Sequence, residues 1–149
     1  MTTTARHLAT IDLLRARSFD GSRGFHLAEL ATSEEFWEDD GTRREAVGDQ
    51  YEAEREGLAV LLAARWGPPR RLPLGPVLER SMEGESIPEP WSTLSGHTPD
   101  LYLWEADGAW IGLGVSQWDK ELPFQLLAVV TTVDPPAEPL PDGDGSPQA

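Results

Sequence analysis

The chain has 149 residues, the size of a single ordinary domain, with 26 acidic against 12 basic side chains and a net charge of −14. Charge of that sign repels phosphate backbones and anionic headgroups, so neither nucleic acid nor a membrane is expected as a partner. The complete lack of cysteine excludes disulfides, thiolate chemistry and cysteine-ligated metals, and fits a cytoplasmic protein.

The opening segment, Met1-Thr-Thr-Thr-Ala-Arg-His-Leu, has no apolar core of a signal peptide. Leu8, Ile11 and Leu14 recur at helical spacing, which predicts a helix over 4–17. Phe19-Asp-Gly-Ser-Arg-Gly predicts a turn, and the alternation of Phe25, Leu27 and Glu29 predicts a short strand over 24–30. Thr32 with Glu35 resembles a capping box opening a helical turn through Trp37.

Thr42-Arg-Arg-Glu45 is a second capping box. Val47, Tyr51, Leu58, Leu61, Leu62 and Trp66 then repeat every three or four residues, predicting a long amphipathic helix. Gly67 suits its C-terminal cap, and Pro68-Pro69 forbid its continuation. Gly57 is a candidate for close approach of this helix to a sheet. The longest apolar run, Leu58 to Ala64, is too short to span a bilayer. Residues 71–80 predict a strand that lies at an edge or begins only at Val77, because Pro73 and Pro76 remove amide donors. Residues 81–99 predict a long loop, packed down through Ile87, Trp91 and Leu94.

Three aromatic-rich strands follow, starting at Asp100, Ala109 and Phe124, with Asp107-Gly108 as a two-residue hairpin turn. That register puts Tyr102, Trp104, Ile111, Leu113 and Val115 on one face, and Leu101, Leu103, Trp110, Gly112 and Gly114 on the other. Both faces are apolar, so both need cover. The groove over the two glycines is expected to receive the long helix, with a ligand as the alternative. The expected fold is α+β: an antiparallel sheet of about four strands, including a C-terminal three-strand meander, with a long helix on one face. One domain over 1–133 is expected to precede an acidic, proline-rich tail, 134–149, without fixed structure.

No strong catalytic signature is present. Gly114-Val-Ser116-Gln-Trp118 lacks the second glycine and the helix of a hydrolase nucleophile elbow. Gly112-x-Gly114 lacks the third glycine of a dinucleotide fingerprint, and Lys120 follows no phosphate-binding loop. His97, Asp100 and Glu105 are the only polar cluster that suggests a pocket, although a lone loop histidine is usually solvated. Glu34, Glu35, Glu38, Asp39 and Asp40 put five carboxylates in seven residues. They lack the turn glycines of a calcium loop, so a solvated face is the default and a docking patch for a basic protein the alternative. Trp118-Asp119-Lys120-Glu121 sets a tryptophan among polar turn residues, the composition of an interface anchor, with a tryptophan folded back over the sheet edge as the equal alternative. The six tryptophans mostly suit a core, since each buries a large area.

The reading from sequence is therefore a non-catalytic cytosolic protein-binding module, an acidic adaptor or an immunity-type inhibitor of a basic protein. Its expected contacts are Trp91, Tyr102, Trp104, Trp118, Asp119, Glu35, Glu38 and Asp39, with self-association as another route to cover the sheet. A small-molecule pocket or minor enzyme under the 81–99 loop is the alternative. No metal or cofactor is implied. The preponderance of arginine (eleven of the twelve basic residues), with abundant alanine, glycine and proline, suggests a GC-rich bacterial source.

Overall fold

A computed structural model describes residues 3–17 and 24–137. The first helix, α1 (Thr3–Ala16), buries His7, Ile11 and Leu14, as its spacing requires. The strand β1 (Phe25–Thr32) follows; the turn expected over 19–24 lies outside the described residues, apart from Gly24. The helix α2 (Thr42–Trp66) runs 25 residues, and Gly67, at φ 87°, closes it by donating its N–H to the Ala63 carbonyl. Then come β2 (Arg70–Pro73), α3 (Gly75–Met82), α4 (Trp91–Ser95), β3 (Asp100–Ala106), β4 (Ala109–Gln117) and β5 (Phe124–Thr131).

The architecture is α+β, with five strands in the order β1-β5-β4-β3-β2, all pairs antiparallel. The hairpin register is the expected one: Ala106 faces Ala109, and Asp107 and Gly108 both adopt positive φ, 55° and 78°. That pair of angles matches the right-handed twist of the strands it joins.

Side-chain alternation divides the core into two clusters. On the first face α1 and α2 cover Trp104, Ile111, Leu113, Val115, Leu126, Ala128 and Val130. On the second, Leu74, Val77, Trp91 and Leu94 cover Leu72, Leu101, Leu103, Leu127 and Val129. The long helix thus lies on the Trp104 face, opposite to the one expected. Over the glycines there is no vacant groove. A Cβ on Gly114 would meet Leu101 Cδ2 at 2.7 Å and Thr98 Cγ2 at 2.9 Å, and one on Gly112 would meet Val129 Cγ1 at 2.7 Å. The glycines make room for neighbouring side chains of their own face. Close approach to α2 occurs at Gly48, against the Phe124 ring, whereas Gly57 has open space beside it.

Three local expectations are corrected. Residues 75–82 are helical, because Pro76 sits in the first turn of α3, where a fixed φ and a missing N–H cost nothing. Thr32 opens no helical turn; its hydroxyl donates to Glu29. Thr42 is the first residue of α2 and does not cap it. The N-cap position is Gly41, and the Asp39 carboxylate two residues before it accepts from the N–H groups of Gly41, Arg43 and Arg44 at 2.9–3.1 Å. A carboxylate there also meets the positive end of the helix dipole. Of the tail, Asp134 accepts the Trp110 indole N–H, and the Ala137 carbonyl accepts from Arg80; residues 138–149 lie outside the described part.

Candidate functional site

On the second face α4 is only five residues long and covers the sheet incompletely. The strip beside it, over β1 and β5, is a cleft of about 610 Å³. Its floor is Phe25, Leu27, Glu29, Gln125 and Leu127, all on one face because strand side chains alternate. Pro90, Thr93, Leu94 and His97 form the α4 wall, and Trp118 stands at the side. Glu89 caps the first turn of α4 by accepting from the Thr93 N–H and hydroxyl, both at 3.0 Å. Leu27 stays 44% exposed and Trp118 57% exposed.

Trp118 does not swing freely. Its ring stacks on that of His97, with centroids 3.8 Å apart and planes 23° apart. His97 is buried, its Nδ1 lies 3.2 Å from the Thr98 hydroxyl, and its carbonyl accepts the Gln117 N–H. Burial pushes its imidazole below the usual value, because the charged ring loses hydration. The neutral ring is a flat, fixed platform for the indole.

The chain brings its acidic run to the same end of the molecule. Ser33 N–H donates to the Phe124 carbonyl, and Phe36 N–H to the Glu121 carbonyl. Residues 33–41 are thereby bound to the β4–β5 turn. A second hollow, about 280 Å³, opens between Phe36, Trp37, Asp39, Asp40, Gly41, Arg44, Lys120 and Glu121. Trp37 is 59% exposed beside it and donates its indole N–H to Glu35. Glu38 and Asp119 are exposed as well. Not every carboxylate of the run faces outward for a partner. Glu34 forms a bidentate pair with Arg43, at 2.8 and 2.9 Å, which holds its carboxyl below the usual range. Asp39 and Asp40 are engaged by backbone N–H groups at the start of α2.

Other residues singled out in the sequence have structural places. Trp91 is fully buried beneath α4, and Trp104 is buried with its N–H bonded to the Gly67 carbonyl at 2.8 Å. Tyr102 lies under the Arg55 guanidinium, 4.3 Å from its ring centroid, and its hydroxyl donates to Glu56. His97, Asp100 and Glu105 do not converge. Asp100 is on the α2 side, bound by Arg55 at 3.1 Å and Arg71 at 2.6 Å, and Glu105 is exposed farther along β3. Ser116 is buried within β4 and bonded to Gln125.

The cleft residues Leu27, Glu29, Glu89, Leu127 and the outlying Trp37 were not singled out in the sequence. The available signal was the Phe25-x-Leu27-x-Glu29 alternation, which marks a face; which strand lies beside it is not written locally. Among the described residues no group of acidic and histidine side chains is placed to hold a metal ion, and no helix is long and apolar enough to cross a membrane. No family model, curated protein or solved structure matches the chain. The functional reading therefore rests on this geometry.

Proposed function

We propose that the protein is a non-catalytic cytosolic binding module that docks a basic protein on the end of the molecule built around Trp118. The observation that carries this reading is an exposed tryptophan held rigid by its stack on buried His97, among exposed carboxylates. A side chain already fixed in place loses little rotamer entropy on binding, which is what separates an anchor from incidental exposed surface. Trp37 supplies a second apolar contact across the 33–41 segment. Glu35, which accepts the Trp37 indole N–H, and the exposed Glu38 and Asp119, neighbours of the two tryptophans in the chain, favour a cationic partner surface.

An immunity-type inhibitor of a basic toxin and an acidic adaptor both use such a surface. Symmetric self-association through it is disfavoured, since a two-fold interface would set this acidic patch against itself. The test is affinity capture at low and high salt, followed by reconstitution with the purified partner. A basic partner is expected, bound more weakly at high salt, with Trp118→Ala reducing affinity about thirtyfold and leaving the circular dichroism unchanged. A partner that binds equally well in high salt and to the Trp118→Ala protein would refute the reading.

A further inference from the structure

The cleft between α4 and the β1–β5 strip differs in kind from the docking end. It is concave and mostly apolar, and its volume of about 610 Å³ is within the range of roughly 300–1,000 Å³ typical of small-molecule sites. Among the described residues its charged lining is Glu29 and Glu89, one on the floor strand and one at the start of the α4 wall. Neither lysine nor arginine is among the described residues that line it.

Glu89 is held in place by its two bonds to Thr93, which fix its carboxylate at the edge of the cleft. The Trp118 ring adds an aromatic surface, which attracts cations through its quadrupole. Phe25, Leu27, Leu94 and Leu127 accept an aliphatic or aromatic body. An anionic ligand of the same shape would face two carboxylates and gain no counter-charge. We propose that this cleft binds a small organic cation, an arylalkyl amine in chemical class, with its apolar body over Leu27 and Leu127 and its ammonium toward Glu29 and Glu89. The cleft shares Trp118 and His97 with the docking end, but Leu27, Glu29 and Glu89 belong to it alone and Trp37 and Glu38 take no part in it, so Leu27→Arg tests the cleft without touching the proposed anchor.

The experiment titrates the full chain with three probes that share one body: 4-phenylbutylamine, 4-phenylbutanol and 4-phenylbutyrate. Binding is followed by calorimetry and by tryptophan fluorescence. The amine should bind about fivefold tighter than the alcohol, the gain expected from partly exposed ion pairing, and the carboxylate weakest of all. In the Glu29→Gln/Glu89→Gln protein the amine and the alcohol should bind equally. A glutamine amide at position 89 still offers an acceptor oxygen to Thr93, so α4 keeps its cap. Leu27→Arg, a change at an exposed position, should abolish amine binding by placing a guanidinium beside Glu29. In Trp118→Phe the fluorescence response should vanish while the heat persists. Equal binding of the three probes would overturn the proposal, as would amine binding unaffected by Leu27→Arg, or no amine binding up to millimolar concentration.

Discussion

Replacing Asp100 by asparagine tests whether this buried carboxylate is part of the fold and not of a pocket. The Arg55 and Asp100 side chains are only 6% and 12% exposed, with Arg55 Nη1 3.1 Å from Asp100 Oδ1. At an effective dielectric of about 20 that contact is worth about 5 kcal/mol of Coulomb energy, most of it cancelled by the lost hydration of both ions. The intact pair is therefore close to neutral for stability. A broken pair is not, because the guanidinium stays buried without its counter-charge, at a typical cost of about 3–5 kcal/mol. Arg55 retains half-exposed Glu52 at 2.8 Å and its stack on Tyr102, which sets Asp100→Asn at the lower end, about 3 kcal/mol. Arg71→Ala should cost less than about 1 kcal/mol, since that arginine is largely solvated. The double change Arg55→Met/Asp100→Leu should return to within about 1 kcal/mol of the parent. Urea unfolding with equal m-values reads all four proteins. An Asp100→Asn protein within about 1 kcal/mol of the parent, or a double variant as unstable as Asp100→Asn, would refute the reasoning.

Two further predictions use the glycines and the histidines. Gly114→Ala should destabilise by about 1–3 kcal/mol, because its Cβ meets Leu101, Thr98 and the Asp100 carbonyl within 3.1 Å; Gly57→Ala, with open space in mid-helix, should stabilise by about 0.5–1 kcal/mol, both read from urea midpoints. Burial lowers the pKa of both His7 and His97 below their unfolded value near 6.5. The unfolded chain therefore takes up protons first, and stability present above that value is lost as pH falls through the folded-state pKa. The urea midpoint should drop between about pH 7.5 and 5.5, and His97→Gln should flatten part of that slope; a parent midpoint that rises on acidification over this interval would contradict it.

How far the sequence disclosed the fold follows from how local each signal is. The meander is readable because period-two alternation and Asp107-Gly108 specify pairing between neighbours in the chain. The place of β1 is not readable, since its partner β5 lies about a hundred residues away and no turn connects them. The cleft depends on that long-range pairing, so its floor was out of reach even though the alternation of Phe25, Leu27 and Glu29 was visible. The α3 helix escapes a local reading because Pro73 and Pro76 weaken a strand and start a helix with equal ease. At Thr42 two capping arrangements competed, and the Asp39 carboxylate, accepting three N–H groups, prevailed over the threonine hydroxyl. Trp118 was legible as a tryptophan among polar turn residues, but its stack on His97 required a loop and a strand end to meet in space.

The candidate cleft owes its existence to unequal cover on the two sheet faces, and that inequality has an energetic cause. At about 1.5 Å per residue, α2 extends roughly 37 Å and α4 less than about 8 Å. A five-residue helix has no stability of its own. It stays folded against the sheet because Trp91 and Leu94 are buried beneath it, so the cleft wall is only as firm as that anchor. Trp91→Ala should therefore cost about 3–5 kcal/mol and release the wall. Its amides at 91–98 should then exchange hydrogen much faster than in Trp118→Ala, where the ring removed is a surface one. Trp91→Phe, which keeps most of the volume and deletes an indole N–H that has no hydrogen-bond acceptor among the described residues, should hold the wall in place. If Trp91→Ala left exchange at 91–98 at the parent rate, α4 would be held by something other than its buried face. The cleft could then not be ascribed to a short helix anchored at one point.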